Sequence, residues 1–343
     1  MSAVKTLTVG EDETGIRLDR WFKRHYPDLP HVILEKLLRT GQVRVDGGRA
    51  MAADRLEAGQ AIRVPPTAHV APPKKKIAKP GMPVSDKDAA FIRGLILHQD
   101  PDVIVLNKPH GLAAQGGSGI ERSVDGLLDA LSLGKSHRPR LVHRLDRDTT
   151  GVLVIARTPS AAAALSEAFR ARETRKIYWA LVNGVPRPHR GKVALSLAKE
   201  GGHGKHGRDE RMVPLAAGDD REDAKRAVTH YAVLDAAASA CAWVALMPIT
   251  GRTHQLRAHM AAIGCPIVGD FKYGGSESRL SGEVPKMLHL HARSIQIKHP
   301  KGGILEVVAP LPPHMKKSWA LFGFSADDTK DPFIDFERGN KRK

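Results

Sequence analysis

The sequence predicts an α+β fold divided into two domains, a small module followed by a larger one. The run 152–156 is short, apolar and rich in β-branched residues, as in a buried strand, whereas Thr158 and Pro159 begin an amphipathic helical pattern. A stretch rich in proline and lysine, residues 66–90, separates the two predicted domains. The total of 343 residues is enough for one large core and one small module.

Charge and composition narrow the class of protein. The chain carries 54 Lys and Arg against 37 Asp and Glu, a net charge of +17, and the excess is spread along its whole length. Nucleic acid is therefore the first expected partner and an anionic membrane surface the second. No apolar run reaches the roughly 18 residues of a membrane span, and the N-terminus shows no signal segment. Two cysteines form neither a disulfide framework nor a four-ligand zinc site, so we expect a reduced, cytoplasmic compartment.

The first module is predicted over residues 14–65. Two short helical patterns are followed by alternating strand patterns, and the second helix places Ile33 on its apolar stripe but Lys36 and Arg39 outward. The unit resembles the S4 domain, a small RNA-binding fold, which implies that Lys36, Arg39 and Arg44 contact RNA. The open alternative is a small scaffold of helices and strands whose charges are only solvated.

Three further segments are predicted to lack a packed core. Residues 66–90 form an extended, semi-stiff linker that can tether the two domains to different parts of one RNA. Residues 198–226 are polar and are predicted as a mobile basic loop over the RNA. Residues 321–343 are charged and are predicted as a disordered tail. The larger domain is therefore expected over residues 91–320.

The larger domain contains the elements that carry the functional segments. An alternating strand pattern places Lys176 and Tyr178 together on its less apolar face. A later helix is predicted with Thr253 as its N-cap, Arg252 just before it and Arg257 on its body. These cations and the tyrosine are the side chains that a substrate could meet.

The most informative stretch is 141–151, which leads into the predicted buried strand. Two carboxylates, two arginines, a histidine and two threonine hydroxyls fall within nine residues. Asp146 lies between Arg144 and Arg147, and a guanidinium beside a carboxylate keeps it ionised, more strongly when the pair is partly buried. We therefore expect Asp146 to be held ready as a nucleophile or base.

Residues 143–151, with the sequence His-Arg-Leu-Asp-Arg-Asp-Thr-Thr-Gly, resemble the signature of the RluA family of RNA pseudouridine synthases. Three further segments agree with it and occur in the family's order, namely 107–112, 176–178, and 251–257 with Gly269-Asp270. With the S4-like unit, the resemblance spans about residues 14–315. The arrangement is most similar to the RluC branch, which modifies large-subunit ribosomal RNA.

The resemblance implies both a fold and a reaction. The larger domain is expected to carry a central mixed, largely antiparallel sheet, the pseudouridine synthase fold, with the active cleft across its middle. A uridine in RNA is detached at its N-glycosidic bond, rotated and rejoined to its ribose through C5, and the reaction needs no cofactor. Asp146 is then the catalytic aspartate, Tyr178 the aromatic residue against the target base, and Arg252 the guanidinium paired with the aspartate.

The resemblance also implies the partner, which is large-subunit ribosomal RNA or an assembling large subunit, bound by a monomer. Arg144 is similar to the residue that fills the gap left by a flipped base, and Arg147, Lys176 and Arg257 are expected to contact RNA. The glycine cluster 116–119 lacks the ending of a phosphate-binding loop, and the histidines lack recognised ligand spacing. We therefore expect no nucleotide cofactor and no metal. With RNA as the implied partner, we also expect no membrane partner.

Two other classes of protein stay open from the residues alone. In a non-catalytic RNA-binding assembly factor, Asp146 would be a turn residue that hydrogen-bonds its own loop. In a glycosidase, Asp146 and Asp148 would act as a pair, which needs carboxyls about 5 to 9 Å apart and usually one acid of raised pKa. Adjacent arginines have the opposite effect on a carboxyl pKa. Altered RNA bases would identify the synthase, and release of free sugar the glycosidase.

Overall fold

The computed structural model describes residues 4–27, 29–66, 84–117, 120–134, 137–171, 173–201, 211–215, 221, 223–327 and 331–334. The chain divides into two compact units, Met1–Met82 and Pro83–Lys343. Most of the predicted linker, residues 67–83, lies outside the described residues. No helix in the described part of the chain is long and apolar enough to cross a membrane.

The N-terminal unit combines two helices with a three-stranded antiparallel sheet. Its elements are β1 (Lys5–Thr8), α1 (Leu18–His25), α2 (His31–Arg39), β2 (Arg44–Val45) and β3 (Ala61–Val64), with the strand order β1, β3, β2. Leu18, Trp21 and Phe22 of α1 pack with Ile62 of β3 in a core that is almost wholly closed to solvent. The apolar stripe on each helix is what fixes this arrangement.

Two details of this unit correct the prediction. The strand β1 precedes residue 14 and pairs with β3 from Lys5 to Thr8, so the predicted domain boundary is one strand too late. Most of β1 is exposed, and its residues show no apolar alternation that would have marked it as a strand. Ile33 is 41% exposed on α2, because the buried stripe consists of Leu34, Leu37 and Leu38.

The larger unit holds most of the secondary structure. Its strands are β4 (Ile96–Gln99), β5 (Val103–Lys108), β6 (Arg140–Leu141), β7 (Thr150–Ala156), β8 (Arg175–Asn183), β9 (Arg190–Glu200), β10 (Arg211–Pro214), β11 (Lys225–Ala237), β12 (Cys241–Pro248), β13 (Leu290–Lys298) and β14 (Ile304–Val308). Its helices are α3 (Asp86–Arg93), α4 (Val124–Leu127), α5 (Pro159–Arg170), α6 (Gln255–Ala262) and α7 (Pro313–Phe322).

Eleven strands among the described residues of this unit form one sheet. Its order is β10-β9-β11-β12-β8-β13-β7-β5-β4, with β14 added to β13 and β6 added to β7. The pair β13 and β7 is parallel, and the other neighbouring strands run antiparallel. The predicted mixed, largely antiparallel sheet is confirmed.

The contact between β7 and β13 sets the position of the loop that contains the predicted catalytic aspartate. Gly151 pairs with Ala292, and on its other side Ala292 pairs with Tyr178 of β8. Gly151 has φ +105°, and a Cβ at this position would lie 2.2 Å from the Ala292 carbonyl oxygen, so only glycine fits. This close approach brings the loop before β7 next to Tyr178.

The helices of the larger unit begin as local chemistry dictates, with one exception. Thr158 accepts a hydrogen bond from the Ala161 N–H at 3.1 Å, and Pro159 is the first residue of α5, as predicted. The predicted N-cap at Thr253 is wrong. The N-cap of α6 is His254, one residue later, and its φ is 51°. A left-handed residue therefore leads into this helix instead of an extended, side-chain-capped one.

Three predicted irregular segments contain ordered structure. Ser85 caps α3 with a bond from the Asp88 N–H at 3.1 Å, so the linker ends before residue 86. Within 198–226, β9 continues to residue 200 and β10 pairs with it. The prediction of a loop throughout this segment is therefore wrong. The prediction of a disordered tail is also wrong for the described residues 321–327 and 331–334, since Phe324 and Phe333 are buried in the core. Aromatic residues within charged sequence account for the last difference.

Candidate active site

A cleft of about 540 Å³ is lined mainly by three segments of the larger unit, with further contributions from the end of α5 and from Leu290. The first is the loop 143–149 before β7, the second is β8, and the third runs from the end of β12 into α6. Six predicted site residues line the cleft, namely Arg144, Asp146, Lys176, Tyr178, Arg252 and Arg257. The fold therefore brings together side chains that are more than a hundred residues apart in sequence.

The carboxylate of Asp146 faces this cleft, with 28% of its side chain exposed. The Thr149 N–H donates to the Asp146 carbonyl oxygen at 3.2 Å and closes the turn that presents the carboxylate. Among the described residues, the ion-pair partner of Asp146 within 4.0 Å is His254, whose Nε2 lies 3.9 Å from Oδ2. Asp148 does not line the cleft and lies 3.7 Å from His110 Nε2. The turn thus directs one carboxylate of the two toward a substrate.

Tyr178 stands on the middle strand of the sheet close to Asp146. Its backbone pairs with Leu246 of β12 on one side and Ala292 of β13 on the other, which fixes the half-buried ring. Burial, and secondly the negative charge of Asp146, raise the pKa of the Tyr178 hydroxyl well above its ordinary value. The side chain is therefore a neutral phenol that offers a flat surface and one O–H donor.

Lys108 joins the segment 109–112 to the loop that contains Asp146. Its fully buried Nζ donates hydrogen bonds to the carbonyl oxygens of Pro109 at 3.0 Å, Leu112 at 2.7 Å and Arg147 at 2.8 Å. Burial lowers the pKa of Lys108 to about 7, and the charges of Asp148 and Asp146 act in the opposite direction. Three carbonyl acceptors match the three N–H groups of an ammonium, so this geometry favours the charged form.

His143 forms part of the cleft wall as a neutral ring. The Val154 N–H donates to His143 Nε2 at 2.8 Å, and the imidazole stacks on Phe169 with ring centroids 4.4 Å apart. Burial, with the positive charge of Lys176 as a second cause, lowers the pKa of His143 to about 3. His143, the first residue of the motif 143–151, therefore supports β7 and the cleft wall and does not supply a proton.

Arg252 lines the cleft but is not paired with Asp146 in the structure. Its Nε donates to the Arg226 carbonyl oxygen at 3.3 Å, and no ion pair within 4.0 Å joins Arg252 to Asp146 in the described chain. The prediction of that pairing is therefore wrong for this conformation. Arg252 Nε thus contacts the backbone of β11 at Arg226, while the side chain lines the cleft.

Arg257 is buried at the cleft and is paired with a carboxylate other than Asp146. Its Nε and Nη2 donate to the two carboxylate oxygens of Asp270, each at 2.7 Å, and Asp270 is closed to solvent. Burial lowers the pKa of Arg257, but the bonds to Asp270 and the nearby charge of Asp146 outweigh this and raise it. Two of the three guanidinium nitrogens of Arg257 are therefore bound to Asp270, while the residue lines the cleft, and its predicted contact with RNA stays a prediction.

The other predicted RNA contacts fall into two groups. Arg144 is exposed at the cleft, 3.5 Å from Gln115 Oε1, and Lys176 lines the cleft with its pKa lowered by burial. Arg147 lies outside the lining, and its Nε donates to the Gly111 carbonyl oxygen at 3.2 Å. In the N-terminal unit, the predicted contacts are all exposed, namely Lys36, Arg39 and Arg44.

Three residues near the site were not predicted to have a role. Lys108 lies in the predicted motif 107–112, so its buried position could have been suspected. His254 belongs to the motif 251–257, but the side-chain direction depends on its left-handed backbone. Nothing in the sequence marks Tyr273, which reaches the site through a hydrogen bond to His254. No group of three or more His, Cys, Asp or Glu in the described residues could hold a metal ion.

Comparison with known proteins agrees with this geometry. Residues 102–262 match the family model described as RNA pseudouridylate synthase. RNA pseudouridine synthase 4, mitochondrial, of Arabidopsis thaliana is 36% identical over 93% of this chain and 81% of its own length. Ribosomal large subunit pseudouridine synthase C of Escherichia coli (strain K12) is 34% identical over 92% of this chain and 95% of its own length.

A solved structure leads to the same family. Human RNA Pseudouridylate Synthase Domain Containing 4 superposes with a TM-score of 0.57 and 32% identity, covering 69% of this chain and 97% of that one. The likeness of sequence extends over nearly the whole chain, and the likeness of structure over more than two thirds of it. The chain belongs to the RluA family of RNA pseudouridine synthases.

Proposed function

We propose that this synthase converts specific uridines of large-subunit ribosomal RNA to pseudouridine, with Asp146 as the catalytic carboxylate. The observation that carries the proposal is the convergence of Asp146, Tyr178 and the cleft cations on one cavity of about 540 Å³. Pockets of roughly 300–1,000 Å³ suit ligands of nucleotide size. A flipped uridine needs such a pocket, a flat surface for its base and positive charge for its phosphates.

The chemistry assigned to each side chain follows from its charge. Asp146 supplies a carboxylate that attacks the ribose or the base, or removes a ribose proton. The N1–C1′ bond breaks, the base turns, and the C5–C1′ bond forms; a proton leaves C5 and N1 gains one, so the atoms balance without a cofactor. Because the resting Tyr178 is a protonated phenol, it can accept the C5 proton only after it passes its own proton on.

Cations around the cleft would bind the flanking RNA. Arg144 is exposed and weakly held, so its guanidinium can stack in the gap that a flipped base leaves. Lys176 shares a face of β8 with Tyr178 and has no ion pair in the described residues, so it is free for a phosphate. Arg257 lines the same cleft, and its bidentate pair with Asp270 holds the guanidinium in place there.

The position of Asp148 argues against the glycosidase alternative. Its carboxylate is outside the cleft and close to His110 and Arg147, so no second carboxylate of the predicted pair faces Asp146 across the cavity. The protein would also need an acid of raised pKa. The structure offers no separate observation in favour of the assembly-factor alternative.

The choice of large-subunit ribosomal RNA is supported by the bacterial relatives named ribosomal large subunit pseudouridine synthase C, which align over 92% of this chain. The net charge of +17 favours a large polyanion as substrate. The proposal includes a monomeric enzyme in a reducing compartment such as the cytoplasm. The two free, buried cysteines, Cys241 and Cys265, are consistent with that compartment.

The test is to map pseudouridines in ribosomal RNA from cells with and without this gene. Defined large-subunit positions should revert to uridine in its absence and return on complementation with wild type but not with Asp146→Asn. The purified protein should then modify those positions in a large-subunit transcript or in a precursor particle. An unchanged pseudouridine pattern in the deletion strain would refute the proposed substrate.

A further inference from the structure

A chain of hydrogen bonds connects the edge of the sheet to the Asp146 carboxylate. The Met212 N–H of β10 donates to Tyr273 Oη at 2.9 Å, and Tyr273 Oη lies 2.9 Å from His254 Nδ1. On the other side of the imidazole, His254 Nε2 lies 3.9 Å from Asp146 Oδ2. The imidazole is thus held between a tyrosine hydroxyl and the proposed catalytic carboxylate.

Counting donors and acceptors along this chain favours one tautomer of His254. Tyr273 Oη already accepts a hydrogen from Met212, and burial raises the pKa of Tyr273, so its own O–H is present and needs an acceptor. Among the described residues, the acceptor within hydrogen-bond distance of Tyr273 Oη is His254 Nδ1. A neutral imidazole that accepts at Nδ1 carries its hydrogen on Nε2, the nitrogen that faces Asp146.

We propose that Tyr273 holds His254 in the tautomer with its hydrogen on Nε2, and that this N–H positions and stabilises the Asp146 carboxylate. The inference rests on the function proposed above and adds two positioning residues to it. At 3.9 Å the contact is longer than a hydrogen bond, and catalytic contacts often shorten when the substrate binds. RNA binding that closes the cleft would bring Nε2 and Oδ2 into bonding distance.

The backbone around His254 supports a specific orientation of its ring. His254 has φ 51°, a left-handed conformation that few residues other than glycine adopt and that often marks functional sites. The next residue, Gln255, accepts bonds from Thr250 Oγ1 at 2.7 Å and from the Arg252 N–H at 3.1 Å. Its amide donates to Thr229 Oγ1 at 2.9 Å, so the start of α6 is fixed from both sides.

Four charged groups near His254 affect its pKa. Burial is the main cause that lowers the pKa of His254, and Arg257 and Lys272 act in the same direction. Asp146 and Asp270 act in the opposite direction. Because Asp270 is already neutralised by two bonds from Arg257, Asp146 is the carboxylate left to interact with His254. The neutral ring with a directed N–H is consistent with this balance.

The direct test is to observe the tautomer by NMR in the full-length protein labelled with ¹⁵N histidine. Two-bond ¹⁵N–¹H correlations distinguish the two ring nitrogens, and His254→Gln identifies the signals of His254 by their disappearance. We expect hydrogen on Nε2 in the wild type at neutral pH and a shift of hydrogen toward Nδ1 in Tyr273→Phe. Tyr231→Phe is the matched control, since it removes a buried hydroxyl that donates to the Pro188 carbonyl oxygen at 3.1 Å.

The second test measures single-turnover rates against pH for three variants. Asn tolerates a left-handed backbone but its amide is too short to reach Asp146, so His254→Asn should lower the rate roughly 10- to 100-fold. Its rate should stay low over the whole pH range in which the wild type is active, because the carboxylate lacks its positioning N–H. Gln carries an N–H to the position of Nε2, so His254→Gln should recover most of the rate. Tyr273→Phe should behave between these, with RNA affinity unchanged in all three.

Hydrogen on Nδ1 of wild-type His254, or a doubly protonated ring at neutral pH, would overturn the inference. So would an unchanged tautomer in Tyr273→Phe, or equal rates for His254→Asn and the wild type. These outcomes are separate from failure of the proposed function. If Asp146→Asn were fully active, the catalytic role of Asp146 would fall while the NMR result for His254 would stand.

Discussion

Lys108 donates a hydrogen bond to the carbonyl oxygen of Arg147 at 2.8 Å, from a position that is closed to solvent. The same ammonium donates to Pro109 and Leu112, so one cation holds the end of β5 and the loop of Asp146 in a fixed relation. Buried carbonyl groups need such partners, because an unsatisfied one costs about 1–3 kcal/mol. The position of the Asp146 loop therefore depends on a side chain that is itself closed to solvent.

Replacing this cation by a methionine of similar length tests the dependence. Lys108→Met should lower the free energy of unfolding by on the order of 3 kcal/mol, because three carbonyl oxygens lose their donor together. Urea unfolding followed by circular dichroism measures the change. Lys176→Met is the matched control, because Lys176 is half-buried in the cleft without an ion pair among the described residues. It should keep near wild-type stability and bind RNA more weakly; equal stability of both variants would contradict the role of Lys108.

Tyr178→Phe separates stacking from the chemistry of the hydroxyl. The phenyl ring keeps the stacking surface, worth roughly 1–3 kcal/mol per base, so RNA affinity should stay close to that of the wild type. Removal of the O–H should slow turnover by roughly 10²-fold or more if the hydroxyl relays a proton. Filter binding and single-turnover assays of the same preparation measure both quantities. Turnover near the wild-type rate would restrict Tyr178 to stacking.

The N-terminal unit should bind RNA phosphates through α2. Lys36 and Arg39 are exposed on one helix, so Lys36→Gln with Arg39→Gln should weaken binding of long structured RNA. The slope of log affinity against log salt should become shallower by about 0.9 for each duplex phosphate that is no longer neutralised. Arg24→Gln is the control, since its guanidinium is already bound to Asp12 at 3.0 Å and Glu13 at 3.3 Å. An unchanged slope in the double variant would remove the RNA-binding role of α2.

Much of the fold could be predicted because its signals are local. The apolar run of β7 and the capping Thr158 with Pro159 are read directly from neighbouring residues, and the structure confirms both. The strand β1 could not be found in this way, since its residues are mostly exposed and its identity depends on pairing with β3. A local sequence pattern identifies a strand whose side chains are buried on one or both faces. It does not identify an exposed strand that is defined only by its pairing with another strand.

The same limit applies to the site. The sequence brings Asp146, Tyr178 and two arginines into one motif set, and all of them line one cleft. It does not say which guanidinium meets which carboxylate, because that depends on how α6 is rotated by the left-handed residue before it. Arg257 consequently pairs with Asp270, 13 residues further along the chain, and the predicted pairing of Arg252 with Asp146 is absent.

Acid should destabilise the protein through its buried histidines. Burial lowers the pKa of His259, His289 and His291 to about 4, against 6.5 for the ordinary residue. Between these values the unfolded chain binds protons that the folded chain does not, so the free energy of unfolding falls as the pH drops below about 6.5. Each histidine should contribute a slope of about 1.4 kcal/mol per pH unit until the pH reaches its folded pKa.

The contribution of a single histidine, His291, to this pH dependence can be measured separately. His291 Nδ1 lies 2.8 Å from Thr150 Oγ1, and glutamine offers amide groups to the same neighbours without titrating in this range. Chemical denaturation of His291→Gln at pH 5 and pH 7 should show a smaller pH dependence than the wild type. His31→Gln, at an exposed position on α2, should leave the dependence as it is. The same pH dependence in His291→Gln and the wild type would show that His291 is not responsible.

Asp146→Asn tests whether Asp146 is the catalytic carboxylate or only a turn residue. Asparagine keeps the size and hydrogen-bonding capacity of a turn residue, and the turn itself is closed by a backbone bond from Thr149 that the substitution does not touch. If Asp146 only shaped its loop, stability and function would change little. Because Asp148 does not line the cleft, no neighbouring carboxylate of this motif can substitute. We therefore expect pseudouridine formation to fall by several orders of magnitude.

RNA binding by Asp146→Asn should survive, since phosphate contacts dominate affinity, and removal of a negative charge from the cleft should tighten it slightly. Asp148→Asn is the matched control in the same loop, because its carboxylate faces His110 and Arg147 outside the cleft, and it should remain active. Both variants are assayed by pseudouridine mapping of one transcript under single-turnover conditions. A near wild-type rate for Asp146→Asn would refute the assignment of Asp146 as the catalytic carboxylate. An equal decrease in both variants would assign the effect to the loop and not to one carboxylate.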